Sequence, residues 1–227
     1  MRKLIVPANS TNVDISVPIS IAVSGTSLSG DLVVPKMATG IVLFAHGSGS
    51  SRHSPRNKFV AKVLQSAGLA TLLIDLLSET EEQIDARTAA LRFDIEALSN
   101  RLVEIIDWLV INPQTEGLKI GLFGASTGAA AAIVAATRRE KWINAVVSRG
   151  GRPDLANTAL SELDTPTLLI VGSDDFQVLE LNQQALALIQ CQKQLSVVRG
   201  ATHLFEEPGT LEDAARLAQE WFSKYLR

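Results

Sequence analysis

The sequence predicts an α/β fold with a mostly parallel central sheet, helices on both faces and two antiparallel strands at the N-terminus. Three observations carry this. From residue 40 onward, short apolar runs alternate with helical stretches, as in a parallel sheet covered on both sides. Those runs are continuous, which strands buried on both faces require. Before residue 36 the apolar residues instead recur at every second position, the period of a half-buried strand. The 227 residues fit one domain, with 1–35 as leading edge strands and 40–227 as the βα core.

Composition narrows the function classes. The chain is 46% hydrophobic, enough for a full core, and its net charge of −3 argues against nucleic acid or an anionic membrane as the main partner. Cys191 is the single cysteine, so no internal disulfide forms and a reducing compartment is expected. The N-terminal apolar run stops at Pro7, too short for a signal-peptide core. No run approaches the ~18 apolar residues of a membrane span. A cytoplasmic protein is the expectation.

Taken in order, Val13, Ile15, Val17, Ile19, Ile21 and Val23 alternate as one strand, Gly25–Ser27 turn the chain, and Leu28–Val34 make the second. Ile41–Ala45 is a buried strand that runs into His46-Gly47-Ser48-Gly49-Ser50-Ser51. Ser54-Pro55 opens a helix, with serine as N-cap and proline at the first helical position. Leu69–Leu73 is the next strand, with Asp75 just beyond. One long helix is expected from about Glu82 to Ile111, because Ile84, Leu91, Ile95, Leu98, Leu102, Ile105 and Leu109 form one apolar stripe. Ile120–Phe123, Ile143–Val147, Thr167–Val171 and Leu195–Val198 supply four more strands. Helices follow the first, third and fourth, and Thr210 with Asp213 resembles a capping box for the last of them.

The strand at Ile120–Phe123 passes through Gly124-Ala125-Ser126-Thr127-Gly128 into an alanine-rich helix. Strand, G-x-S-x-G, helix is the pattern that holds a nucleophilic serine on a strained turn at the C-terminal edge of a parallel sheet. A plain tight turn whose serine caps the helix is the bland alternative. A serine hydroxyl needs a base to take its proton, and His203, in the loop after the last strand, is placed to be one. The base needs an acid to hold its tautomer. Asp174 and Asp175 follow the preceding strand, and Asp175 is preferred because it stands midway between Gly172 and Val178, which starts the next helix. The order Ser126, Asp175, His203 is that of hydrolases with this motif. Asp75 and Asp154 also follow strands and read more simply as local turn or cap residues. The oxyanion of a tetrahedral intermediate would be held by the backbone N–H groups of Thr127 and Ser48, with Gly49 as second choice to Ser48. His46 reads as a brace for its loop.

The stretches His46-Gly47-Ser48-Gly49-Ser50-Ser51-Arg52-His53-Ser54-Pro55-Arg56-Asn57, Gly124–Ala129 and Ala201-Thr202-His203 resemble the dienelactone-hydrolase-like branch of the α/β-hydrolases. The resemblance runs from about residue 20 to the end of the chain. It implies an α/β-hydrolase fold, hydrolysis of carboxylic esters or lactones, no cofactor and no metal. It also implies a core without a large lid, consistent with the short interval from Gly150 to Thr165. Dienelactone hydrolases proper use a cysteine nucleophile, so Ser126 marks a serine variant and points to a generic ester in place of dienelactone. Similar sequences occur joined to phosphoribosyltransferase domains, of which this sequence shows no counterpart.

Arg52, Arg56, Arg149 and Arg152 are expected at the active edge. Together with His53, Arg52 and Arg149 are candidates to bind an anionic substrate group, since a guanidinium fork suits carboxylate and phosphate. Surface charge, or pairing with Glu206 and Glu207, is the competing account. The sequence thus leads to a serine hydrolase acting on esters, lactones or thioesters of small acids. An acyltransferase on the same residues and a non-catalytic binding scaffold are the rival classes.

Overall fold

The computed structural model describes residues 13–227. The basic, apolar start that precedes them lies outside the described residues. Among the described residues eight strands form one sheet: β1 Val13–Val23, β2 Thr26–Pro35, β3 Gly40–Ala45, β4 Ala70–Ile74, β5 Lys119–Ala125, β6 Ile143–Arg149, β7 Thr167–Gly172 and β8 Lys193–Val198. Their spatial order is β1-β2-β4-β3-β5-β6-β7-β8. β1 and β2 pair antiparallel, as does β2 with β4, and every later pairing is parallel. The alternation in β1 and the mainly apolar runs of β3 to β7 therefore report their places: one at the sheet edge, the others covered twice.

Seven α-helices among the described residues flank the sheet: α1 Pro55–Ser66, α2 Glu79–Thr88, α3 Ile95–Ile111, α4 Thr127–Arg138, α5 Ala159–Glu162, α6 Phe176–Leu188 and α7 Thr210–Tyr225. α1 and α7 pack on one face through Val60, Leu64, Ala218 and Phe222. α3, α4 and α6 cover the other through Leu102, Ile105, Ala131 and Ala185. Full burial of a leucine or isoleucine stabilises by about 1.5–3 kcal/mol, against a spread of at most ~0.7 kcal/mol in helix propensity between ordinary residues. Packing of the stripe therefore decides where α3 lies. No helix among the described residues is long and apolar enough to cross a membrane.

The expected single helix from Glu82 to Ile111 is two helices. α2 starts earlier, at a capping box in which the Ser78 hydroxyl and the Glu81 carboxylate satisfy each other's backbone N–H. It ends at Ala89 in the left-handed conformation. Asp85 then folds back: its carboxylate accepts the N–H groups of Leu91 and Arg92 and pairs with the Arg92 guanidinium at 2.6 Å. Asp94 caps α3 by accepting the Ala97 N–H at 2.9 Å. Ile84 is consequently half exposed and outside the stripe. The expected box at Thr210 is also absent, because Gly209 is the N-cap of α7 and the Thr210 hydroxyl donates to the Glu207 carbonyl instead.

Candidate active site

Parallel register brings the C-terminal ends of β3, β5, β6, β7 and β8 to one edge, where Ala45 is level with Gly124, Ala125 with Arg149 and Gly172 with Val198. Every polar loop of interest leaves from that edge, as open α/β sheets arrange their sites.

Ser126 sits between β5 and α4 at φ 50, ψ −124, a region L-residues avoid and that costs on the order of 1–3 kcal/mol. The surroundings hold it there. Its carbonyl accepts the N–H groups of Ala129 at 3.1 Å and Arg152 at 3.0 Å, and its own N–H donates to the Arg149 carbonyl. The turn is so tight that a Cβ on Gly124 would lie 2.4 Å from Ala129 Cα, and one on Gly128 would lie 2.3 Å from the Ala45 carbonyl oxygen. Both glycines of the motif are thus space requirements. Ser126 occupies the N-cap of α4 without a side-chain capping bond, and its hydroxyl makes no hydrogen bond among the described residues.

His203 Nδ1 and Asp175 Oδ2 are 2.7 Å apart. Asp175 occupies the N-cap of α6 yet makes no capping bond, so its carboxylate is given to the imidazole. Asp174 points elsewhere: it is exposed, and its Oδ1 accepts the Ser173 hydroxyl at 2.8 Å. Two anchors hold the His203 loop. Phe205 is buried beneath it, and Glu207 accepts both the N–H and the hydroxyl of Thr202. Those bonds keep the Glu207 carboxyl below its ordinary pKa.

Ser126 and His203 line one cavity of about 180 Å³, together with Ser48, Arg56, Asn57 and Arg149. A second cavity of about 300 Å³ lies across the loop after β3 and is reached by Ser48 and Thr127. The Ser48 N–H does not project freely into either, because it donates to Thr127 Oγ1 at 3.1 Å. Neither the Thr127 nor the Gly49 N–H makes a hydrogen bond among the described residues. His46 braces the loop: Nε2 accepts the Leu76 N–H at 2.9 Å, which leaves Nδ1 to donate to the Gly47 carbonyl at 3.0 Å.

Burial holds the His46 pKa below its ordinary value. Protonation therefore favours the unfolded chain, and the stability tied to the neutral ring is present above about pH 6.5 and lost as pH falls below it. The stability difference between wild type and His46→Gln is expected to shrink when thermal melts at about pH 7 are repeated at about pH 5.

The other expected substrate contacts part company. Arg52 is consumed by Asp75, which accepts both its backbone N–H and its guanidinium, with Asp31 at 3.9 Å on the far side. His53 is exposed, with Nδ1 3.4 Å from Lys58 Nζ. Neither lines the cavity that holds Ser126. Arg152 is tied to Asp154 by two bonds of 2.9 and 2.8 Å. Arg149 does face the cavity. Two further features escape a reading from sequence: the Thr127 hydroxyl that engages Ser48, and Asn57 on the cavity wall. Asn57 left a signal, for it stands in line with Val60, Ala61 and Leu64 on the buried stripe of α1.

The comparisons agree with this architecture. The model of the dienelactone hydrolase family matches residues 28–226. A crystal structure of a dienelactone hydrolase from Anabaena variabilis is 58% identical, with a TM-score of 0.93 over 95% of this chain and all of that one. An esterase from Pyrococcus furiosus shares the fold at 18% identity, with a TM-score of 0.76 over 94% of each chain. Two curated Mycobacterium tuberculosis proteins, provisionally named phosphoribosyl transferases, are 58% identical over 199 residues. That stretch is 88% of this chain and 44% of theirs, so the chain spans less than half the length of these relatives. With an α/β-hydrolase sheet and a family match that contains Ser126, Asp175 and His203, the chain belongs to the dienelactone hydrolase family.

Proposed function

We propose that the chain is a serine hydrolase of small carboxylic esters, thioesters or lactones, with Ser126 as nucleophile, His203 as base and Asp175 as the acid that orients it. The observation that carries this is the 2.7 Å pairing of Asp175 with His203 on the wall of the cavity into which the strained turn presents Ser126. Asp175 accepts a hydrogen bond from Nδ1–H, which leaves Nε2 as the basic nitrogen. Ser126 Oγ attacks the carbonyl carbon while its proton passes to Nε2. The oxyanion takes the Thr127 N–H and draws the Ser48 N–H away from Thr127 Oγ1. Nε2 then protonates the leaving alcohol, and a water activated by the same nitrogen releases the acid. The missing bond between the serine and histidine side chains fits a resting site, since such bonds often tighten only with substrate bound.

Phosphoribosyl transfer, in the name of the longer relatives, is not our reading of this chain, because the matched family is one of hydrolases. The test is treatment with a fluorophosphonate, which should form a covalent adduct at residue 126. His203→Ala should abolish labelling, and an unlabelled wild type would remove the proposal. The two aspartates give a sharper check. Asp175→Asn is expected to lower kcat by about 10⁴-fold by presenting the wrong tautomer. Asp174→Asn, whose carboxylate meets only Ser173, is expected to stay within about twofold. Steady-state kinetics on a chromogenic ester reads both.

A further inference from the structure

Among the described residues, the Arg149 guanidinium is a buried charge without a counter-ion. The residue is 7% exposed, Nε and Nη1 have no hydrogen-bond partner, and no ion pair of this side chain occurs among the described residues. The guanidinium overlies the Phe205 ring at 5.6 Å, a contact that attracts a cation yet leaves its N–H groups unmatched. Burial, aided by the nearby Arg56, pulls its pKa down to about 10, which still leaves it charged at neutral pH. An unpaired buried cation is costly and is normally balanced by an anion. One neighbour on the cavity wall extends the pattern. Arg56 is held at 3.2 Å by the exposed Glu206, a surface pair that yields at little cost.

Position assigns this charge to one side of the reaction. Gly150, directly after Arg149, lies against the histidine: a Cβ there would be 3.2 Å from the His203 carbonyl oxygen and 3.7 Å from its Cε1. Arg149 and His203 thus form adjoining walls. The imidazole hands its proton to the departing group, so that group rests beside it. Across the loop after β3, the 300 Å³ cavity is lined by Leu76, Leu77 and Leu98 and carries the carboxylates of Glu82 and Asp85. Its arginine, Arg92, is already paired with Asp85. An anion would be repelled there.

We propose that Arg149, with Arg56, is a subsite for an anionic group on the leaving alcohol, while the cavity beyond Ser48 takes an uncharged acyl group. The substrates are accordingly esters of small neutral acids with hydroxy acids or with phosphate-bearing alcohols. This rests on the serine-hydrolase reading and adds a substrate class to it. The 180 Å³ beside Ser126, below the roughly 300 Å³ at which drug-sized pockets begin, keeps the alcohol small.

Four probes separate the possibilities: acetoxyacetate, 2-acetoxyethyl phosphate, neutral 2-methoxyethyl acetate, and monoethyl succinate with its charge on the acyl side. Wild type should prefer acetoxyacetate or 2-acetoxyethyl phosphate over 2-methoxyethyl acetate by at least about tenfold in kcat/KM. The better of the two identifies carboxylate or phosphate as the group bound. The preference should collapse in Arg149→Met and be partly kept in Arg149→Lys. If Arg149→Met does not fold, glycolate should still inhibit the wild type competitively, and far more strongly than ethylene glycol. A wild type without charge preference, one that favours monoethyl succinate, a ratio unmoved in Arg149→Met, or equal inhibition by glycolate and ethylene glycol each overturns the proposal. Fluorophosphonate labelling and turnover of 2-methoxyethyl acetate report on the parent reading. Loss of both defeats the hydrolase and this subsite together, whereas loss of the charge preference alone defeats only the subsite.

Discussion

Replacement of Ser126 by alanine is expected to lower kcat for ester hydrolysis by roughly 10⁶-fold, the scale seen when a serine nucleophile is removed from a working triad. What survives would come from the oxyanion donors and from binding. Stability should barely change. The hydroxyl has no hydrogen-bond partner to lose, and alanine keeps the Cβ that makes φ 50 unfavourable. A shift in Tm of no more than about 2 °C is expected. Ser126→Gly adds a control, since glycine accepts that φ without strain and should raise Tm while activity falls equally. Retention of wild-type activity by either variant would end the assignment of residue 126 as nucleophile.

Gly128→Ala is expected to have the opposite profile, with the damage in the fold. The added methyl would meet the carbonyl oxygens of Ala45 at 2.3 Å and His46 at 2.5 Å. These are backbone atoms at the end of β3, fixed by pairing with β4 and β5, and they cannot withdraw without breaking that register. We expect a loss of about 3 kcal/mol, the upper end for overpacking, and a fall in Tm of about 6–12 °C. The sign is diagnostic. In a helix with room to spare, alanine would stabilise over glycine by about 1 kcal/mol. A thermal melt distinguishes the two directions at once.

What was readable in the sequence followed from how local the determining physics is. β3, β5 and β7 announced themselves because double burial excludes polar residues from a continuous run. Ser126 was legible because Gly124 and Gly128 are steric requirements written at fixed spacing. The α2–α3 break was hidden, since no glycine or proline marks Thr88–Asp94 and the stop is made by Asp85 reaching back to Leu91 and Arg92. Still, Ser78-x-x-Glu81 and Asp94 before Ile95 were legible start signals that the apolar stripe overrode. The preference for Asp175 over Asp174 drew on spacing, but the geometry depends on which carboxylate meets an imidazole far along the chain. Arg52 and Arg149 were indistinguishable as letters. Only folding gives one of them Asp75 and leaves the other, among the described residues, without a carboxylate.

The strain at residue 126 resides in the main chain and is met by hydrogen bonds to backbone atoms of Ala129, Arg149 and Arg152. None of those supports touches the side-chain terminus. The elbow is therefore a socket indifferent to whether oxygen or sulfur is mounted in it, and Ser126→Cys should refold without remodelling its surroundings. Exchange of one chalcogen for the other along a lineage then alters reactivity while the architecture stays as it was.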